Sequence, residues 1–300
     1  LKPLAIVGPT GAGKTAVATE LARRTGGEIV SFDSRQLYRG IAVSSNAPVR
    51  AELDGVTVHL VGLLDPSEAL TAARYVQLAR AAVATIPPGR HLLFTAGTGL
   101  YLKAYLEDLD LGGMGAVSEL RETFELEAAR DLPALARRLT ELSPGLAAQT
   151  DLHNPVRVVR RMELLVAAAF AEDSGDAGER RPTDALKVGL AVPPRLLEQR
   201  ISERIDRMLA AGWEEEVEAL LRHRPAASAQ VMTSIGVAEM AAHIRGDIDQ
   251  ARLREMVRVR TRQYAKRQRT WFRGDPEVHW VDAGNRTASD IVATILEMLD

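Results

Sequence analysis

The sequence predicts an α/β fold: a P-loop core built on a parallel sheet, with helices on both faces and an inserted α-helical domain. Three observations predict it. Short apolar runs alternate with helical patterns through the first hundred residues. A glycine-rich loop joins the first run to the first helix. The strand pattern then lapses over residues 112–183 and resumes at Leu186–Val192.

Taken in order, the strands are Leu4–Gly8, Glu28–Phe32, Val56–Leu64 and His91–Thr95, each bounded by Gly, Asp or Pro. Between them, Thr15–Thr25 and Ala69–Thr85 place apolar residues at helical spacing. Residues 107–131 hold eight acids against Arg121 and Arg130, and helices dominate as far as Phe170. Glu172–Asp184 is polar, with two glycines and a proline, and reads as a mobile loop. After Leu186–Val192 come a long helix over 194–223, a shorter one near 234–244, and a third from Gln250 to Phe272. A strand at Val278–Val281 and an amphipathic helix at Ala288–Leu299 close the pattern. The expected division is a core of residues 1–111 and 184–300 with an insertion at 112–183.

Composition bounds the function. With 300 residues and 46% hydrophobic content there is enough apolar surface for a sizeable core. The absence of cysteine rules out disulfides and thiolate metal sites. No apolar run reaches the roughly 18–20 residues that span a bilayer, and Leu1-Lys2-Pro3-Leu4 leads straight into a strand. A cytoplasmic protein with no membrane partner is expected. The net charge of −2 argues against a uniformly basic nucleic-acid binder but leaves a local surface open.

Gly8, Pro9, Thr10, Gly11, Ala12, Gly13, Lys14 and Thr15 fit G-x-x-x-x-G-K-[ST] between a strand and a helix. The glycines let successive N–H groups turn toward one anion at the positive end of the helix. Lys14 neutralises phosphate oxygens, and the Thr15 hydroxyl suits Mg²⁺. Many NTPases also hold the metal with an acid at a strand end. Here the fourth strand runs instead into Ala96-Gly97-Thr98-Gly99. That leaves small-molecule kinases, and enzymes that use the loop for a diphosphate.

Asp33 follows the second strand. Strand C-terminal ends line the ligand crevice of open α/β sheets, so Asp33 and the loop open onto one cleft, where a general base belongs. The competing reading is an Asp capping a following helix.

These segments resemble the tRNA dimethylallyltransferases, also called tRNA isopentenyltransferases. The resemblance rests on the loop, on Asp33-Ser34-Arg35-Gln36-Leu37-Tyr38-Arg39-Gly40, and on Ala96-Gly97-Thr98-Gly99-Leu100-Tyr101-Leu102-Lys103. It continues through His59-Leu60, Asp65-Pro66, the Arg157–Glu163 stretch, Leu197–Met208 and Thr261–Arg273, so it runs from about residue 4 to 282. The chain departs from the family at Ser44-Ser45-Asn46-Ala47-Pro48, where a Lys is lost, at Val156 for Gln, and at Val237 for Tyr. These departures are expected mainly at tRNA contacts.

The resemblance implies transfer of a dimethylallyl group from dimethylallyl diphosphate to N6 of adenosine 37, in the anticodon stem-loop of tRNA. It implies Mg²⁺ as cofactor, held by Thr15. It also implies Asp33 as base, Thr98 near the entering adenine, and Arg200 on the diphosphate, with Arg204 one helical turn away. Preorganised N–H donors, Lys14, Mg²⁺ held by Thr15 and the arginines would stabilise the charge that grows on the leaving group. Ser34, Arg35, Gln36, Arg157 and Arg160 fall on the family's tRNA-facing motifs, and the insertion is expected to contact tRNA. A flipped adenine is expected too, since a stacked base cannot reach a cleft.

Residues 252–273 hold nine basic residues against Glu255 alone, so this segment carries +8 and the rest of the chain −10. Arg258, Arg262, Lys266, Arg269 and Arg273 align on one helix face, an electrostatic footprint for RNA. With no other acid in the segment, their repulsion is expected to go uncompensated unless a polyanion lies alongside. Tyr264, Trp271 and Phe272 at helical spacing read as core. Two alternatives remain at this level: a small-molecule or nucleotide kinase with a helical lid, and a nucleotide-dependent RNA-binding protein without catalysis. A monomer is expected.

Overall fold

The computed structural model describes residues 1–109, 118–171 and 183–299. The chain divides into two compact units, Leu1–Asp108 with Pro182–Asp300, and Leu109–Arg181. The expected loop at 172–184 falls almost wholly outside the described residues, as does most of the glycine-containing stretch 109–117.

The larger unit is a parallel sheet of six strands: β1 (Leu4–Val7), β2 (Glu28–Phe32), β3 (Val58–His59), β4 (Leu92–Ala96), β5 (Leu186–Ala191) and β6 (Val278–Asp282). Their spatial order is β3-β2-β4-β1-β5-β6. β1 pairs with β4 and β5, and all four of its residues are buried, as helices on both faces of a parallel sheet require. One core packs Leu4, Ile6, Leu21, Leu93, Val188, Leu253 and Ile295 around the sheet. β1 and β4 adjoin although the chain visits β2 between them, so a crevice opens at their C-terminal ends.

The third strand is far shorter than the expected Val56–Leu64. Leu60 takes φ 65° and Gly62 φ 62°, left-handed conformations that end a strand. The long helix expected over 194–223 is two helices, Pro194–Ala210 and Trp213–Leu221, parted at Gly212 with φ 80°. The helix expected near 234–244 is present as Val237–Ile244, preceded by a separate short helix, Ala229–Met232. Gly99–Leu106, not expected as a helix, is helical, with Leu102, Ala104, Tyr105 and Leu106 buried. Among the described residues, no helix is long and apolar enough to cross a membrane.

The smaller unit is helical. Ser118–Leu142 is interrupted at Asp131 (φ −156°, ψ 81°), two residues before Pro133. The interruption restarts the helix: Asp131 Oδ1 accepts from the Ala134 N–H at 2.9 Å, as an N-cap does. Pro155–Ala171 supplies Val158, Val159 and Met162 to a core with Phe124, Leu135 and Leu139.

Candidate active site

The phosphate loop is formed as its sequence predicts. Gly11 and Gly13 sit at φ 81° and 91°, which only glycine adopts without strain, and the helix Lys14–Thr25 starts directly after them. Lys14 Nζ donates to the carbonyls of Gly8 (3.0 Å) and Pro9 (2.9 Å), which hold the ammonium over the loop. Burial pushes its pKa down to about 8, against the attraction of Asp33 and with help from the nearby Arg204. A cleft of about 620 Å³ lies over the loop, and Thr10–Thr15, Asp33, Arg200 and Arg204 all line it.

Asp33 stands just past β2, and no helix follows it; residues 34–37 form a turn. Its Oδ1 accepts from the Arg35 N–H at 2.9 Å, closing that turn. Its Oδ2 makes no hydrogen bond among the described residues. With no helix after it, the capping alternative is not realised: one oxygen closes the turn and the other faces the site. The turn after β4 is stapled to the same place, since Gly97 N and Thr98 N both donate to Phe32 O, at 3.3 and 3.0 Å. Thr98 Oγ1 is buried there, with only a longer approach to the Tyr264 hydroxyl. Tyr264 is pushed up to about 12, mainly by burial and then by Asp33, so its phenol stays protonated.

A second cavity of about 370 Å³ adjoins the first. Thr10, Asp33 and Arg204 line both. The aliphatic walls of this second cavity are Ile41, Ile201, Ile205, Met208, Ile235 and Val257, and Ser34, Arg35 and Thr98 stand with Asp33 at its polar side. Burying five carbons against such walls is worth about 4 kcal/mol.

The two arginines of the Pro194–Ala210 helix play different parts. Arg200 donates to the carbonyls of Ala283 (3.3 Å) and Gly284 (2.6 Å), which pin it to the loop after β6 at the cleft wall. Arg204 donates to Thr10 Oγ1 at 2.8 Å, and burial, opposed by Asp33 and helped by Arg207, lowers it to about 10. It therefore stands at the junction of the two cavities.

The basic stripe is partly corrected. Arg258 pairs with Glu198 (3.1 Å) and Glu255 (2.6 Å), Arg262 with Glu198 (3.3 Å), Arg254 with Asp206 and Arg260 with Glu239. The missing acids are supplied by other helices. Lys266, Arg269 and Arg273 form no ion pair among the described residues. Of the three aromatics read as core, Phe272 is buried, Tyr264 is half-buried against the site, and Trp271 is 47% exposed.

Other expectations land elsewhere. Gln36 lines the loop cleft, but its amide is occupied by Ser31 Oγ and the Asn46 carbonyl, both at 3.0 Å. In the smaller unit Arg157 is exposed, and Arg160 pairs with the buried Glu163 at 3.0 Å. Val237 is fully buried, so its departure from Tyr alters packing rather than a surface contact. Ser44 also lies inside: Glu216 accepts from Val43 N, Ser44 N and Ser44 Oγ at 2.7–2.8 Å, and clamps this segment at the second cavity. Gln268 also lines the cleft over the loop, though no motif in the sequence marks it. The available signal was one amide in the otherwise small or apolar stripe Leu253, Val257, Thr261, Ala265, Phe272.

Residues 36–275 match the family model described as IPP transferase. A tRNA dimethylallyltransferase of Geobacter metallireducens is 38% identical, over 97% of this chain and 95% of its own. One from Anaeromyxobacter dehalogenans is 40% identical, over 92% and 93%. The full-length tRNA isopentenylpyrophosphate transferase of Bacillus halodurans superposes with a TM-score of 0.73 at 31% identity, covering 99% of this chain and 95% of that one. A eukaryotic dimethylallyltransferase acting on tRNA superposes at 0.80 with 23% identity, which supports the shared fold alone.

Proposed function

The chain belongs to the IPP transferase family, the tRNA dimethylallyltransferases, and from that premise we propose how its residues carry out the reaction. The enzyme transfers a dimethylallyl group to tRNA, onto N6 of adenosine 37 beside the anticodon. The kinase and the non-catalytic alternatives fall away with the family. One observation carries the assignment of roles: a carboxylate, Asp33, stands where the cleft over the phosphate loop meets a cavity with aliphatic walls.

The donor is dimethylallyl diphosphate. Its diphosphate lies over the loop Gly8–Thr15, where backbone N–H groups, Lys14, Arg200 and Arg204 meet its charge; its five-carbon group lies in the second cavity. The C1–oxygen bond breaks as C1 bonds to adenine N6, and diphosphate leaves with the electron pair. Negative charge thus grows where these cations already stand, which costs no reorganisation at the moment of reaction.

The exocyclic amine is a poor nucleophile because its lone pair is delocalised into the ring. Asp33 Oδ2 takes the N6 proton, a general-base contribution of roughly 10²–10⁴-fold. Thr98, whose hydroxyl is otherwise nearly unpartnered, orients the base by a hydrogen bond. Ser34 and Arg35 line the mouth by which the flipped adenine enters.

The residues fit Mg²⁺. The Thr15 hydroxyl is a hard oxygen donor in the same cleft as Asp33, and Mg²⁺ needs only one or two protein oxygens beside phosphate and water. When bound, the ion would neutralise charge on the leaving diphosphate. Lys266, Arg269 and Arg157 are the tRNA-binding cations, and Arg160 and Arg262 contribute less because Glu163 and Glu198 already pair with them. A cytoplasmic location and a monomeric state are part of the same proposal; the residues of a single chain suffice to line both cavities.

Incubation with radiolabelled dimethylallyl diphosphate, Mg²⁺ and unmodified tRNA tests the proposal. Label should appear on the RNA at adenosine 37. Label retained in the diphosphate ester, or released as a free alcohol at the same rate without tRNA, would refute it.

A further inference from the structure

Gln268 is 5% exposed, on the face of the helix Gln250–Arg273 that turns away from the basic stripe. Its Oε1 accepts from the Thr10 N–H at 2.8 Å, and its Nε2 donates to the Gly97 carbonyl at 2.8 Å. One amide thus ties the phosphate loop to the turn that carries Thr98. Its orientation is not interchangeable, because a backbone N–H requires an oxygen and a carbonyl requires an N–H.

Both bridged segments are reinforced toward the site. The Thr10 hydroxyl takes a hydrogen bond from Arg204, so this loop residue is held through its backbone by one helix and its side chain by another. On the far side, a Cβ on Gly97 would sit 3.1 Å from Gln268 Nε2 and 3.2 Å from Asp33 Oδ2. The amide and the carboxylate therefore close on the same glycine from two directions. Beside the backbone pairing of β1 with β4, Gln268 is a side chain that joins the phosphate loop to the Gly97–Thr98 turn directly.

We propose that Gln268 is a positioning residue that fixes the distance between the donor loop and the acceptor turn, so that C1 of the donor and N6 of adenine meet in line. The inference rests on the roles assigned above to the loop, Asp33 and Thr98. Gln268 lines the cleft over the loop, but its amide oxygen and one amide N–H are taken up by Thr10 and Gly97, and it acts through them. Misplacing reacting groups by about 1 Å costs on the order of 10²-fold in rate, so a lost bridge falls mainly on kcat.

The isosteric variant Gln268→Glu gives a readout that simple packing would not. As a carboxylate it can accept from Thr10 N–H but sets a lone pair against the Gly97 carbonyl. Protonated, it regains one acceptor and one donor in the same places, and the bridge is restored. The ratio of its kcat to that of the unaltered enzyme should therefore rise at least about tenfold as pH falls from about 9 to about 6, a window in which a buried carboxyl can titrate. Gln268→Met, of similar volume with neither group, should lose about 10- to 100-fold in kcat at every pH, with donor KM changed less.

Both variants are assayed with labelled dimethylallyl diphosphate and unmodified tRNA, with circular dichroism confirming the fold. A ratio for Gln268→Glu that does not change with pH overturns the proposal. So does a folded Gln268→Met with unaltered kcat, or failure of both variants to fold, which would make the bridge a stability element. If the unaltered enzyme transfers no label, the reaction assignment fails instead.

Discussion

Diphosphate affinity should fall across the alkaline range because of Lys14. Burial lowers this ammonium from 10.5 to about 8, so below about pH 7 nearly every loop carries its positive charge. The neutral fraction is about one-tenth at pH 7, about half at pH 8 and about nine-tenths at pH 9. A bound diphosphate stands in contact with Nζ and restores the charge, so each binding event takes up the missing proton. Uptake attributable to Lys14 is therefore about 0.1, 0.5 and 0.9 protons at these three pH values. Affinity should weaken about twofold at pH 8 and about elevenfold at pH 9, the latter about 1.4 kcal/mol.

Titration calorimetry in two buffers of different ionisation enthalpy measures the uptake. The Lys14→Arg protein supplies the reference, since a guanidinium does not deprotonate in this range. Protonation of the ligand and of Arg204, lowered only to about 10, then cancels in the difference. Stability should move the opposite way. The unfolded chain binds more protons than the folded one between about pH 8 and 10.5, so the Lys14 contribution raises stability over that window, by up to about 3 kcal/mol. Equal proton uptake by the two proteins at pH 8 and 9, with affinity flat in pH, would refute the reasoning and return Lys14 to an ordinary solvated lysine.

Three further outcomes are expected. Asp33→Asn keeps an oxygen for the Arg35 N–H, so the turn survives while transfer falls roughly 10²–10⁴-fold. It also removes a charge that raises the Lys14 pKa, so the calorimetric midpoint should shift to lower pH, and unchanged turnover would exclude Asp33 as the base. Lys266→Glu with Arg269→Glu should weaken tRNA binding and make log K against log salt shallower by roughly 2, whereas Arg258→Gln, already paired, should change the slope little; filter binding across a salt series decides this. Glu216→Ala leaves three donors at Ser44 and Val43 without their carboxylate and should cost about 1–3 kcal/mol, read by urea unfolding; no change in the midpoint would show that water replaces it.

The legible features were those written in consecutive residues. The phosphate loop needs eight adjacent positions, and β2 ends, as expected, at Phe32 just before Asp33. The errors arose where the deciding partner is distant in sequence. Nothing local to Arg258 or Arg262 announces Glu198, some 60 residues earlier on another helix. The continuous apolar pattern at 56–64 could not reveal that Leu60 turns left-handed and ends β3 at His59. The departure at Val237 is expected among the tRNA contacts, yet its neighbours bury it completely.

The correction to the stripe sharpens where RNA should be drawn. Arg254, Arg258, Arg260 and Arg262 are each engaged by Asp206, Glu198, Glu255 or Glu239, so the first half of the helix Gln250–Arg273 is locally near balance. Among the described residues, Lys266, Arg267, Arg269 and Arg273, beside the exposed Trp271, form no ion pair. Gln268 lies between these cations in sequence but on the buried face. The same two turns of helix thus offer charge to the phosphates on one side and hold the two halves of the site in register on the other. Substitutions on the two faces should then separate in kinetics: the exposed cations through the KM for tRNA, and Gln268 through kcat. A single helical segment in which both faces moved the same parameter would contradict this division.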